Sequence, residues 1–228
     1  MDFDAILFDK DGTLFDFHGT WSSWTLDIID YLCRNEASKK ELVARALGYD
    51  LKNQNFLKSS LLIAGTAEQA ADKIATFIND ISKQEIENFL LSSAKNVKLM
   101  EVIPLDKFLK NLQSKGVRIG LVTNDFEAVA HLHLKAAGIH KYFDFIAGYD
   151  SGFGIKPDPG PLLAFAEQFS ILPDRVAMVG DSTHDLFAAE KAGMYKIGVL
   201  TGLASYSDLA PYSDLVLDNI GKIEELLN

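Results

Sequence analysis

The chain is poor in several residue types, and each shortage excludes something. One cysteine, Cys33, in 228 residues leaves no intrachain disulfide to form and suits a reducing compartment. Lys and Arg number 22 against 32 Asp and Glu, a formal net charge of −10. A nucleic-acid or anionic-membrane surface needs clustered basic residues, so neither partner is expected. There are 6 prolines, none of them between residues 17 and 97. No stretch reaches the ~18 consecutive apolar residues of a membrane span, and no basic leader stands ahead of Ala5-Ile6-Leu7-Phe8. The expectation is a soluble, cytoplasmic protein. Hydrophobic residues nevertheless make up 48% of the chain, ample for a large core. Internal repeats and low-complexity tracts are missing too.

What is present falls into two textures. Compact apolar runs at 5–8, 117–122, 143–147, 176–179, 197–200 and 215–217 read as buried parallel strands. Helical stripes alternate with them. One runs through Leu105, Phe108, Leu109 and Leu112 and ends at Lys115-Gly116; others run 126–137, 161–169 and 186–192. Strand-helix alternation of this kind predicts right-handed crossovers and a sheet covered on both faces, with ligands beyond the carboxyl ends of the strands. Residues 17–97 differ, showing amphipathic helical stripes and no convincing strand. The expected organisation is an α/β core of residues 1–16 and 98–228 with an all-helical insertion, 17–97, placed as a lid or, alternatively, packed as a rigid helical layer on the core.

The chemistry-bearing residues sit where those strands run out. Asp9 and Asp11 flank Lys10 ahead of Gly12-Thr13. Residues two apart on a strand leave on the same side, so both carboxylates are expected to aim at one spot. Gly12 permits a sharp turn, and the Thr13 hydroxyl is expected to tie it. A calcium loop is excluded, because Phe15, Phe17 and Thr20 occupy positions that would have to supply oxygen ligands. Thr123 and Asn124 open a helix, where a hydroxyl, an amide and N–H groups suit phosphate oxygens; taken alone, the pair equally suits an ordinary N-cap. Lys156 lies in Gly154-Ile155-Lys156-Pro157-Asp158-Pro159, whose prolines restrict the backbone. Asp181 follows a buried run, and Asp185 can share its face from the first helical turn or simply complement the helix dipole. Four carboxylates gathered in one pocket would repel by ~4 kcal/mol per close pair. Lys156 and a hard divalent cation would offset this, and oxygen-only ligation favours Mg²⁺.

Phe8-Asp9-Lys10-Asp11-Gly12-Thr13-Leu14, Thr123, Lys156 and Gly180-Asp181-x-x-x-Asp185 together resemble, in order and spacing, the four signatures of the haloacid dehalogenase superfamily. The insertion after the first signature is similar to that of its phosphoglycolate phosphatase-like branch. The resemblance implies a Rossmann-like parallel-sheet core with a helical cap and an Mg²⁺-dependent phosphatase acting on a small phosphate monoester. It implies that Asp9 is the nucleophile and forms an aspartyl-phosphate. Asp11 would be the acid/base, while Thr123, Asn124 and Lys156 hold the phosphoryl group. Asp9, the Asp11 main-chain carbonyl and Asp181 would hold Mg²⁺, with Asp185 binding directly or through water. Founding dehalogenases lack an acid matching Asp11, which favours phosphoryl chemistry. A phosphosugar mutase shares every core residue and stays open. A catalytically silent binding module would be expected to lose one of Asp9, Asp11, Lys156 or Asp181, and all remain.

Lys10 is unusual for the family, where its position is often apolar, and it is given no role. His18, Trp21 and Trp24 are expected either to line a substrate pocket or to pack a core. His131 and His133, two apart, fall on different helix faces and do not read as metal ligands. Cys33 reads as a packing residue. The expected partner is a small phosphorylated metabolite, and the expected assembly is a monomer or homodimer.

Overall fold

The computed structural model describes residues 3–34, 36–57, 60–64 and 67–227. It divides into two compact units, Met1–Phe17 with Leu99–Asn228, and His18–Lys98. Eight strands and ten α-helices are defined among the described residues. The elements begin with β1 (Ala5–Phe8), α1 (Phe17–Leu32), α2 (Ala37–Leu47), β2 (Tyr49–Asp50) and β3 (Asn55–Phe56). There follow α3 (Leu61–Ala64), α4 (Ala67–Ala75), α5 (Lys83–Ala94), α6 (Leu105–Ser114), β4 (Arg118–Val122), α7 (Glu127–Ala136) and β5 (Phe145–Ala147). The chain ends with α8 (Gly160–Phe169), β6 (Val176–Gly180), α9 (Thr183–Ala192), β7 (Tyr195–Val199), α10 (Tyr206–Leu209) and β8 (Leu215–Leu217).

The first unit is built on a six-stranded sheet in the order β5-β4-β1-β6-β7-β8, with every pairing parallel. β1 is central and buried along its whole length. Its side chains alternate between two cores, as strand geometry requires. Ile6 and Phe8 pack with Leu105, Phe108, Leu109 and Leu112 of α6 and with Ala130 and Leu134 of α7. Ala5 and Leu7 face the other way, with Leu162 and Phe165 of α8 and Ala188 and Ala189 of α9. α6 forms because its apolar residues recur at helical spacing. It stops where Gly116 takes φ +79°, the left-handed conformation that ends many helices. The apolar runs become strands because both faces are covered, and the alternation puts the carboxyl ends of β4, β1 and β6 side by side.

The second unit carries α1 to α5, and its buried residues include Ile28, Ile29, Val43, Leu47, Ala70, Ile74, Ile86 and Leu90. A capping box starts α5: Ser82 N donates to Glu85 at 3.0 Å, and Glu85 N donates back to the Ser82 hydroxyl at 3.3 Å. The insertion is not all-helical. β2 and β3 pair antiparallel through Tyr49↔Phe56 and Asp50↔Asn55. Asp50 nucleates the loop by accepting from Lys52 N and Asn53 N, and Tyr49 stacks edge-on against Phe56. His18, Trp21 and Trp24 are also engaged inside this unit. His18 meets Phe56, Trp21 meets Trp24, and the Trp24 indole donates to Ser93 Oγ at 3.0 Å. Cys33 is free and buried. No helix among the described residues is long and apolar enough to cross a membrane.

Candidate active site

Asp9, Thr123 and Asp181 are each the residue immediately after a strand, and the three strands are neighbours in the sheet. The last inter-strand bonds, from Asp9 N to the Val179 carbonyl and from Thr123 N to the Ala147 carbonyl, both at 2.9 Å, hold two of these residues at the strand ends, and all three lie along one edge. Lys156 reaches the same place from the loop before α8, and Asp185 from the first turn of α9. Lys156 is buried, and its ammonium has three acceptors: Asp9 Oδ1 at 2.7 Å, Asp185 Oδ1 at 2.6 Å and the Val122 carbonyl at 2.7 Å. Three donors meet three acceptors, so the charge is fully used. Burial by itself would push Lys156 down; Asp185 and Asp9 more than reverse that and hold it above its ordinary value.

Asp185 uses its two oxygens separately. One oxygen takes the Lys156 ammonium. The other accepts from the Ser182 N–H at 3.1 Å and from its hydroxyl at 2.7 Å, which caps α9. Asn124 is used differently from the expectation, since its amide grips the Lys156 backbone. Nδ2 donates to the Lys156 carbonyl at 2.9 Å, and Lys156 N donates to Oδ1 at 3.0 Å. The side chain thus positions the lysine, leaving the backbone N–H as the part of Asn124 suited to a phosphate oxygen. The Thr123 hydroxyl is buried and accepts from Asp125 N at 3.1 Å.

One oxygen from each of Asp9, Asp181 and Asp185 lies within 4.8 Å of the others. Burial raises Asp9 to about 6, against the pull of Lys156 and with Asp185 adding to the rise. Asp181 stands well above the usual carboxylate range, through burial first and the charges of Asp9 and Asp185 next. Three carboxylates against one ammonium leave two negative charges in surplus. A divalent cation restores that balance, and hard oxygen donors suit one. The Asp181 carboxylate is also tightly cradled. A Cβ on Gly12 would stand 2.4 Å from its Oδ2, and one on Gly202 only 1.7 Å. Gly12 has φ +81° as well. The donor set of Asp9, Asp181 and Asp185 is therefore one that could hold a small hard cation.

Asp11 does not join this cluster. β1 ends at Phe8, so the two-residue alternation does not extend to position 11, and the chain turns instead. Leu14 N and Phe15 N both donate to the Lys10 carbonyl, and Gly12 N donates to the Phe15 carbonyl. Thr13 does not tie this turn. Its hydroxyl is buried without a hydrogen-bond partner among the described residues, and the tie comes from the Thr201 hydroxyl, which donates to the Gly12 carbonyl at 2.6 Å. The Asp11 carboxylate lies against Lys10, its Oδ2 at 2.5 Å from Nζ. Lys10 is 0% exposed and also meets Asp125 Oδ2 at 3.2 Å and His133 Nδ1 at 3.1 Å. Burial alone would push Lys10 down, but Asp11 and Asp125 overcome it and hold the ammonium above its ordinary value. His131, two residues from His133, pairs instead with His140 at 2.7 Å, as opposite helix faces require.

The sequence of this chain matches the model of the haloacid dehalogenase-like hydrolases over residues 6–199. Pyrophosphatase PpaX from Bacillus velezensis is 26% identical over 225 residues, which cover 98% of this chain and 94% of that protein. Phosphoglycolate phosphatase from Escherichia coli K12 is 42% identical over 91 residues, 40% of this chain and 36% of its own. Among solved structures, a Haemophilus somnus 129PT protein described as a predicted phosphoglycolate phosphatase superposes with a TM-score of 0.73. It covers 100% of this chain and 99% of its own at 22% identity, a likeness of fold. The chain belongs to the haloacid dehalogenase-like hydrolase family and is an enzyme.

Proposed function

We propose that this enzyme is an Mg²⁺-dependent phosphatase that hydrolyses a small phosphate monoester, phosphoglycolate-like in kind, through an aspartyl-phosphate on Asp9. The supporting observation is the Lys156 ammonium fixed between Asp9 and Asp185 with Asp181 beside them. Asp9 attacks phosphorus and the alcohol departs with a proton from Asp11. Asp11 then draws a proton from water, which attacks the acyl-phosphate and frees Asp9. The Thr123 hydroxyl, the Asn124 N–H and Lys156 hold the phosphoryl oxygens as charge spreads over them. Asp9, the Asp11 main-chain carbonyl and Asp181 would hold Mg²⁺, with Asp185 bound directly or through water. Bound there, Mg²⁺ would supply electrostatic stabilisation of the phosphoryl group. The unit His18–Lys98, which enters the chain just after the Asp9–Thr13 turn, is the proposed cap and selects the leaving group.

The test is release of free phosphate from phosphoglycolate, other phosphorylated metabolites and pyrophosphate, with Mg²⁺ and with a chelator. Monoester turnover that disappears with the chelator is expected. Preference for pyrophosphate would overturn the monoester assignment, sugar-phosphate isomerisation without phosphate release would reveal a mutase, and no turnover of any phosphate would restore the binding module.

A second outcome concerns pH. Metal-free Asp9 titrates at about 6 against an ordinary 3.8, so the folded chain holds a proton there that the unfolded chain has shed. Its contribution to metal-free stability therefore rises as pH falls through about 6 toward 3.8, while Mg²⁺ must compete with that proton. The stabilisation by Mg²⁺, about 2.7 kcal/mol at a hundredfold excess over Kd, is expected to be larger near pH 8 than below about pH 6, where Asp9 holds its proton. Thermal melts across that range check it, and an Mg²⁺ gain independent of pH would remove Asp9 from the metal set.

A further inference from the structure

Lys10 is buried where a methionine-sized apolar side chain would fill the same space without desolvating a charge. Its ammonium faces three acceptors from three parts of the core: Asp11 in the turn after β1, Asp125 in the turn after β4 and His133 in α7. An ammonium donates only, so His133 Nδ1 must present its lone pair, and the ring proton belongs on Nε2. Asp125 is itself fixed. Its N–H donates to the Thr123 hydroxyl at 3.1 Å, and its Oδ1 accepts from Phe126 N at 2.7 Å. The Asp11 side chain, 20% exposed, is thus anchored from beneath by the same turn that carries Thr123.

We propose that Lys10 is a positioning residue for Asp11: its ammonium, braced by Asp125 and His133, fixes the Asp11 carboxylate in the orientation from which it works on water. The inference rests on the phosphatase reading, within which the two halves of the reaction use Asp11 unequally. A leaving group acidic enough to depart unprotonated, such as p-nitrophenolate, does not need Asp11 to form the aspartyl-phosphate. Breakdown of that intermediate needs Asp11 whatever the leaving group was. Loss of its orientation therefore slows the second half alone.

The experiment is steady-state kinetics of p-nitrophenyl phosphate with Mg²⁺ for the full chain and for Lys10→Met. Wild-type turnover checks the phosphatase reading itself, so a chain that turns nothing over fails there before Lys10 is altered. For Lys10→Met, kcat is expected to fall about 10- to 100-fold. KM is expected to fall with it, so that kcat/KM, which reports only the first half, stays within about threefold. A kcat/KM that falls together with kcat would show damage to the whole site and overturn the proposal, as would an unchanged kcat. Should Lys10→Met not fold, Asp125→Asn removes one brace while keeping its shape. It is read by the same split, with a smaller fall in kcat expected and the same two results overturning.

Discussion

Asp9→Asn is expected to lower phosphatase turnover by about 10⁴-fold or more while leaving the metal-free fold as stable as before, or more so. The first half of that expectation follows from the proposed covalent step: an amide oxygen does not form the acyl-phosphate that splits the reaction in two. The second follows from the site's electrostatics. Asp9 is buried among like charges, its pKa raised to about 6, so its negative charge is a burden to the metal-free protein at neutral pH. Asparagine keeps the shape and removes the charge. Lys156 retains Asp185 at 2.6 Å and the Val122 carbonyl at 2.7 Å, so it does not become an orphan. Activity and stability are therefore expected to move in opposite directions, which separates a chemical role from a structural one. Assays paired with melts in chelator provide the check. Activity within about tenfold of wild type would remove Asp9 as nucleophile. A lost fold would show that the carboxylate was supporting the structure instead.

The parts of this site that are readable in the sequence share one property: they depend on neighbours in the chain. Asp9, Thr123 and Asp181 stand out because each follows a continuous apolar run, and a parallel strand buried on both faces leaves that imprint. The same holds for α6, whose stripe and terminal glycine are local. What escapes the sequence depends on distant residues. Lys10 between two acids has no role that its neighbours in the chain reveal; only the arrival of His133, 123 positions away, and of Asp125 gives its ammonium partners in the core. Gly202 carries no local signal at all, since the space it vacates belongs to Asp181. Thr201, which ties the turn at Gly12, is equally silent. The β2–β3 hairpin leaves no mark in the sequence, because two-residue strands are too short for a period to show. Asp185 is the instructive middle case. Sharing the Asp181 face and complementing the helix dipole read as alternatives in the sequence, yet a carboxylate has two oxygens, and here one takes the Lys156 ammonium while the other caps α9.

Lys156→Met is expected to cost about 3–5 kcal/mol of stability at neutral pH in chelator, and activity with it. Only the ammonium is removed by this change. The clamp from Asn124 acts on the Lys156 main chain, so the loop keeps its anchor when the side chain is replaced. What remains is Asp9, Asp181 and Asp185 with oxygens within 4.8 Å and no cation among them. The Val122 carbonyl loses its Lys156 donor as well. Such a cluster can be relieved only by protons or by a metal. Asp9 and Asp181 already sit above their ordinary values with Lys156 present, and removing a positive charge raises both further. The folded variant then binds protons that the unfolded chain, with ordinary carboxylates, does not. Its stability deficit must therefore narrow as pH falls toward the ordinary carboxylate range and widen as pH rises above it. Mg²⁺ acts in the same sense by supplying two charges where one was lost, so the variant's melting temperature should gain more from Mg²⁺ than the wild type's. Melts at about pH 5 and about pH 8, each with Mg²⁺ and with chelator, read all of this in one series. A deficit that ignores both proton and metal would mean that Lys156 fills space rather than balancing charge, and the electrostatic description of the site would fail with it.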